Sequence, residues 1–327
     1  MTNSIVRIGV VHYPGALLSA VQGLAEQFYL ANTLHRQNGH SDVFKVYICD
    51  SQNLPERRSE HCSERRPQGF SDTDPLQVII LPPCLNDAYY LSPETALTDW
   101  IRLQHRAGAI ICSVCAGAFV LAETGLLDGR TATSHWQLAD DLARRYPNVR
   151  VDSNRMLIND GDIITSGGLM SWIDLGLELV AQFTNARLMR QLGRYLLVDT
   201  GSREQRYYQS FSARLDHGDD AIVRVQHRLQ REFSQPVRVR ELAGTVNLTE
   251  RTFLRRFVNA TGLKPTQYIQ RLRVQKACEL IESSLLPFER VALEVGYEDT
   301  SSFRKTFAKI TGQTPREFRN RFSREAG

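Results

Sequence analysis

At 327 residues and 37.2 kDa, 42% hydrophobic and 23% charged, the chain is too long for one ordinary core and has the composition of a globular protein, so two domains are expected. No apolar run approaches the roughly 18 residues of a membrane span, and the N-terminus lacks the basic start and small-residue cleavage site of a leader, so a cytoplasmic protein without membrane contact is expected. The net charge of +4 conceals an asymmetry: residues 1–220 carry 20 Lys and Arg against 25 Asp and Glu, while residues 221–327 carry 20 against 11, which points to a polyanionic partner for the second part.

In chain order, residues 5–12, IVRIGVVH, read as a buried parallel strand. Leu17, Leu18, Val21, Leu24, Ala25 and Phe28 follow at helical spacing, and residues 44–49 read as a second strand. The polar stretch 50–74 predicts a surface loop or hairpin. Residues 78–81 form a short strand stopped by Pro82 and Pro83, and a helix to about Arg106 is expected to start with Ser92 as N-cap and Pro93 at its first position. Residues 109–113 are the next strand, followed by the sharp Val114-Cys115-Ala116-Gly117 turn and a helix over 118–124; α/β folds place reactive groups at such turns. A strand over 131–134 leads into a helix through Arg145, and Asp160-Gly161 predicts a hairpin turn within 156–165. One long helix over 170–192 is expected to close the first domain, with a polar linker over 198–220 behind it. The alternation of strands and helices predicts an α/β domain over 1–197, a mostly parallel, flavodoxin-like sheet between helices.

The remainder, 221–327, opens with an amphipathic helix over 221–233 and then contains a repeat. Phe253, Arg255, Phe257, Gly262, Pro265 and Tyr268 recur fifty positions later as Phe303, Lys305, Phe307, Gly312, Pro315 and Phe318. Each copy reads as a short helix, a turn, a second helix and a Gly-x-x-Pro stop, the helix-turn-helix pattern. A long helix over 266–283 is expected to connect the copies as a stiff spacer, giving an all-α domain with two reading heads. A helical solenoid is the alternative, but solenoids need three or more units. Two heads on one face of B-DNA lie about 34 Å apart, one helical turn, which predicts binding to two successive major-groove segments.

The six cysteines show no paired framework and are expected as free thiols. Cys112 and Cys115 have the spacing of redox and zinc motifs, but no second Cys/His pair accompanies them, so neither a metal nor a cofactor is expected.

The stretches ELAGTVNLTERTFLRRF, GLKPTQYIQRLRVQKACELI and VALEVGYEDTSSFRKTFAKITGQTPREFR resemble the DNA-binding domain of the AraC/XylS family of bacterial transcription regulators, over about residues 221–323. The resemblance implies base-edge contacts by Arg251, Leu254 and Arg255 in the first unit and by Thr300, Ser301, Ser302, Arg304 and Lys305 in the second. Arg251 and Arg255 can pair bidentately with guanine, about 1–3 kcal/mol each in discrimination, whereas Leu254 could only meet a thymine methyl. The short side chains of Thr300, Ser301 and Ser302 suit a phosphate contact or a helix cap. Ranked by that chemistry, the first unit supplies more of the sequence specificity.

The stretches VHYPGALLSAVQGLAEQFYLAN, SVCAGAFVLAETGLLDGRTATSHW and INDGDIITSGGLMSWIDLGLELV resemble the PfpI-like branch of the class I glutamine amidotransferase superfamily, in the form fused to AraC-type domains. Cys115 stands at that family's nucleophile elbow, and His135 follows in ATSHW. Hydrolytic and protective relatives carry an acidic residue where this sequence has Ala20, and Glu26 is the nearest acid. The resemblance therefore implies a sensor in which Cys115 and His135 are vestiges of a catalytic pair. Cys115, His135, Trp136 and Glu26 are the expected effector-binding residues.

Together these readings predict a regulator, more an activator than a repressor, that binds double-stranded promoter DNA and works with RNA polymerase. It is expected to dimerise and to answer to a small metabolite, an amino acid or a quaternary amine. Two alternatives stand beside it: a thiol hydrolase or redox sensor acting through Cys115 and tethered to DNA, and RNA or non-specific DNA binding.

Overall fold

The computed structural model describes residues 5–54, 75–201 and 203–323, so residues 55–74 of the loop or hairpin expected over 50–74, with Cys62 among them, lie outside the described residues. The chain divides into two compact units, Met1–Gln205 and Arg206–Gly327. Among the described residues no helix is long and apolar enough to cross a membrane.

The first unit runs β1 (Val6–His12), α1 (Leu18–Gln37), β2 (Phe44–Asp50), β3 (Val78–Leu81), α2 (Asp87–Leu91), α3 (Thr95–Arg106), β4 (Ile110–Val114), α4 (Gly117–Glu123), β5 (Thr131–Ala132), α5 (Ala139–Arg145), β6 (Arg150–Val151), β7 (Leu157–Asn159), β8 (Ile163–Ser166), α6 (Trp172–Phe183) and α7 (Ala186–Leu196). Six strands form one sheet in the order β2-β1-β3-β4-β8-β7, parallel except for the edge hairpin of β7 and β8. The order starts 2-1-3-4, as in flavodoxin-like folds, whose ligands sit outside the carboxyl ends of the strands. The central strands are continuous apolar runs because helices cover both faces: every residue of β3 is buried, as are all of β4 but Ile110. Ile80 pairs with Cys112 and Cys112 with Ile164, so Cys112 lies in the sheet's centre, away from the turn at its end.

Three expectations need correction. Ser92 does not cap the helix to Arg106: it ends the extra helix α2, which Asn86 caps by accepting a hydrogen bond from the Tyr89 amide, and α3 starts later at Thr95. The helix expected over 170–192 is two helices. Thr184 leaves the helical conformation with φ −130° and ψ −96°, and Asn185, extended, caps α7 by accepting from Leu188 N at 2.9 Å. The expected linker over 198–220 contributes to both units, since Gln205 is buried in the first while Phe211 and Ala213 pack against a core of the second.

The second unit holds α8 (Asp220–Arg231), α9 (Val239–Thr245), α10 (Glu250–Thr261), α11 (Pro265–Ser283), α12 (Phe288–Glu294), α13 (Thr300–Thr311) and α14 (Pro315–Phe322). It has two small cores. Ile222, Val225, Leu229, Leu242, Phe253, Phe257 and Tyr268 form one, and Val274, Ala277, Ile281, Val291, Phe303, Phe307 and Phe318 the other. The repeat is visible in the packing: Tyr268 meets Phe257 edge-on at 5.3 Å, and Phe318 meets Phe307 edge-on at 5.5 Å. Gly262 (φ +70°) and Gly312 (φ +74°) end α10 and α13 in the left-handed conformation. Each proline of the predicted Gly-x-x-Pro stop opens the next helix at its first position, α11 at Pro265 and α14 at Pro315.

Candidate functional site

The second helix of each repeat buries one face and presents the other. On α10, Phe253 and Phe257 are inside, Arg251 and Arg255 are exposed, and Leu254 is half-buried between them. Thr249 caps the helix by accepting from the Thr252 amide at 3.3 Å. Arg256, adjacent in sequence to Arg255, turns the other way and binds the Asp219 carboxylate at 2.7 and 2.8 Å. That carboxylate is also the cap of α8, and the guanidinium beside it holds its pKa below the ordinary value. The pair braces α10 against α8.

On α13, Ser301, Ser302, Arg304 and Lys305 are exposed and Thr300 is half-buried. The helix cap is Asp299, whose carboxylate accepts from the amides of Ser301 and Ser302 at 3.1 and 2.9 Å. Arg304 is engaged by Glu289 at 2.9 Å. Among the described residues Arg251, Arg255 and Lys305 form no ion pair, so at the expected contact positions α10 offers two unpaired guanidiniums and α13 an unpaired ammonium.

In the first unit, Cys115 occupies the turn between β4 and α4. Its φ is +55°, a left-handed conformation that costs energy for a residue with a side chain. The surroundings enforce it: the Cys115 amide donates to Ser166 O at 2.8 Å, and Ser134 Oγ donates to Cys115 O at 2.8 Å. Gly117 is needed next, because a Cβ there would lie 2.6 Å from Leu81 O. This is the geometry of a nucleophile elbow.

The thiol is 5% exposed, and burial, reinforced by nearby Cys84, pushes its pKa up to about 11. Cys84 donates to Asn86 O at 3.4 Å; Tyr13, whose hydroxyl donates to Pro82 O, stacks on Tyr89 with ring centroids 5.4 Å apart. His135 is half-buried with its pKa lowered by burial, and its Nδ1 accepts from the Gln137 amide at 3.2 Å, so the imidazole caps the turn after it. Among the described residues no hydrogen bond joins His135 to Cys115. Trp136 is half-buried, stacks on His135 at 5.6 Å, and donates its amide to Gln205 Oε1 at 3.1 Å.

The remaining expectation fails for Glu26. It lies exposed on the solvent face of α1, with Gln22 and Tyr29, while Ala20, Leu24, Gln27 and Phe28 face inward. Glu26 is not among the groups that shift the Cys115 thiol. Ala20 is wholly buried, so its position supplies no carboxylate.

Tyr13, Cys84 and Gln205 were not anticipated. The first two directly follow β1 and Pro82-Pro83 after β3, at the strand ends where such folds gather ligands, a signal that the sequence carried. Gln205 had no such signal. Its amide group lies 2.9 Å from Thr133 Oγ1, Ser134 O and Arg155 O, which ties it to the loop that holds Cys115.

Comparison with known proteins covers both units. The model for "Helix-turn-helix domain" matches residues 242–321, and the model for "DJ-1/PfpI family" matches residues 26–182. The HTH-type transcriptional regulator CdhR of Pseudomonas aeruginosa is 31% identical over 225 residues, 68% of this chain and 67% of that protein. The HTH-type transcriptional regulator ArgR of the same organism is 29% identical over 233 residues, 70% of this chain and 69% of that protein. The first unit alone is also similar to an enzyme, the isonitrile hydratase of Pseudomonas putida, 33% identical over 114 residues, 35% of this chain and 48% of that protein. With a DJ-1/PfpI unit, a duplicated helix-turn-helix behind it and likeness to regulators along two thirds of its length, the chain belongs to the AraC-type helix-turn-helix transcriptional regulators that carry an N-terminal DJ-1/PfpI domain.

Proposed function

We propose that this regulator reads two successive major-groove segments of promoter DNA through α10 and α13, and that its first unit senses a small metabolite at the carboxyl end of the sheet. Free, outward-facing Arg251 and Arg255 support guanine readout by the first head. Lys305 suits either a base edge or a phosphate, and Ser301 and Ser302 suit a phosphate beside the helix end. Arg304 would have to leave Glu289 to reach a base.

The observation that carries the sensing reading is the Cys115 elbow without its chemistry: the backbone of a nucleophile is retained while the thiol is buried, its pKa is raised, and among the described residues no hydrogen bond joins it to His135. Half-buried Tyr90 lies within electrostatic reach of the Cys115 thiol, half-buried His135 and Trp136 directly follow Ser134, which holds the Cys115 carbonyl, and aromatic faces attract a quaternary or primary ammonium group. An amino acid or quaternary amine is the effector class that this chemistry favours. In keeping with it, the protein acts as an effector-dependent homodimeric activator that recruits RNA polymerase.

Melting the full chain with amino acids and quaternary amines tests the sensor. A ligand at a hundredfold its Kd stabilises by about 2.7 kcal/mol, and a Trp136→Ala variant is expected to lose that shift. No shift with any member of either class contradicts the assigned effector class. The strained φ of Cys115 is what favours a thiol-enzyme reading instead, and thiol reactivity, treated below, separates the two.

A further inference from the structure

In the second unit, α11 joins the two helix-turn-helix cores, and its buried residues change allegiance near its middle. Tyr268, Ile269 and Leu272 pack in the first core; Val274, Ala277, Cys278 and Ile281 pack in the second. A helix shared in this way sets the distance between two bundles but leaves each free to roll about it.

Arg273 stands at the changeover. Its Nε donates to Phe233 O at 2.7 Å and its Nη2 to Gln235 O at 2.8 Å, both in the segment that follows α8 of the first bundle. Its Nη1 donates to Gly296 O at 2.8 Å, in the turn between α12 and α13 of the second, and the guanidinium lies over the Tyr297 ring at 5.5 Å. One planar fork thus holds three carbonyls from two bundles.

The turn residue shows how close the bundles come. In the first repeat the equivalent turn places Asn247 at φ +53°, so the left-handed conformation alone does not call for glycine. In the second repeat Gly296 has φ +84°, and a Cβ there would lie 2.2 Å from Ser234 O, backbone of the first bundle. Phe233 packs against both cores at the same place. The α12–α13 turn, which sets the direction of the second reading helix, therefore rests directly on the first bundle.

We infer that Arg273 is a positioning residue that locks α10 and α13 into one rigid pair, so that the protein reads the spacing of its two DNA segments as strictly as their sequence. The inference rests on the two-segment reading proposed above. Losing the fork leaves the three carbonyls without their donor and lets the second bundle roll, which lowers the effective concentration of one head once the other is bound.

The test uses the full chain and a duplex selected by it from a random-sequence DNA pool. Affinity is measured by fluorescence anisotropy on the intact duplex, on one with the second segment scrambled, and on one with a single base pair inserted between the segments. Wild type is expected to lose about tenfold or more on both altered duplexes. Arg273→Lys, which keeps charge and length but cannot fork, is expected to bind the scrambled duplex like wild type and the intact duplex about tenfold more weakly. Its insertion penalty should fall to under about threefold. Gly296→Ala, folded by its melting curve, should shift in the same direction. Equal weakening of Arg273→Lys on all three duplexes would assign Arg273 to folding alone, and wild-type behaviour on all three would assign it no role; either result overturns the inference. If wild type itself is indifferent to scrambling, the two-segment reading fails, and the inference with it.

Discussion

Cys115 carries its backbone and its thiol in opposite states: φ of +55° held by Ser134 and Ser166, and a sulfur 5% exposed whose pKa burial raises to about 11. A thiol with a raised pKa is mostly protonated, and correspondingly slow to react, well below that value. Site-resolved mass spectrometry of iodoacetamide labelling should find Cys115 slow from pH 6 to pH 9, with the rate still climbing at pH 10. A labelling midpoint below the free-thiol value of about 8.5 would instead mark a working nucleophile and support the thiol-enzyme alternative. At this scale the sequence was partly legible. The elbow could be read because Val114-Cys115-Ala116-Gly117 sits between an apolar strand and an apolar helix. The state of the sulfur could not, because it depends on burial and on Cys84, which is distant in sequence and follows β3 where that strand pairs with β4. Glu26 stands on the exposed stripe of α1, because nearness along a helix is not nearness in space.

Among the elements, α10 and α13 were the most legible, since phenylalanines four apart followed by glycine and proline leave little freedom in where a helix runs and ends. The break between α6 and α7 was not. Trp172, Leu175, Leu179, Val180 and Phe183 keep an apolar helical pattern up to Thr184-Asn185, and only the Asn185 cap shows that a new helix starts. On α13 the cap is Asp299 and not a serine, and its carboxylate accepts the free amides.

The brace between α8 and α10 gives a pH dependence whose sign can be worked out. Arg256 holds the Asp219 pKa below its ordinary value, so the folded state binds this proton less readily than the unfolded one. The pair therefore stabilises the second unit above the ordinary carboxylate pKa of about 3.9, and that contribution fades as pH falls through it towards the lowered value. Asp219→Asn keeps a competent helix cap and removes the charge. Thermal melts should show wild type more stable than this variant at pH 7, with the gap closing below about pH 4. A gap that persists or widens in acid would show that the ion pair is not its source.

Across the whole molecule, charge and repetition said more than any single motif. The excess of 20 basic over 11 acidic residues in 221–327 coincides with the duplicated helix-turn-helix, and the unit Arg206–Gly327 contains both. The division between the units was less legible. The polar composition of residues 198–220 suggests a linker, yet Gln205 is buried by hydrogen bonds to Thr133, Ser134, Trp136 and Arg155, and Phe211 meets Tyr268 edge-on at 5.1 Å. Composition reports average polarity, whereas one well-placed glutamine or phenylalanine is enough to anchor a segment.

The measurement that bears most directly on the account is a base-interference footprint of the full chain on its selected duplex, for wild type, Arg255→Ala and Lys305→Ala. Two protected segments centred about one helical turn, 10–10.5 base pairs, apart are predicted. Arg255→Ala should remove guanine dependence from one segment only, at a cost of about 1–3 kcal/mol, and Lys305→Ala should weaken the other with a smaller change in sequence preference. A single protected segment, or a loss from Arg255→Ala that is uniform over all sequences, would contradict it.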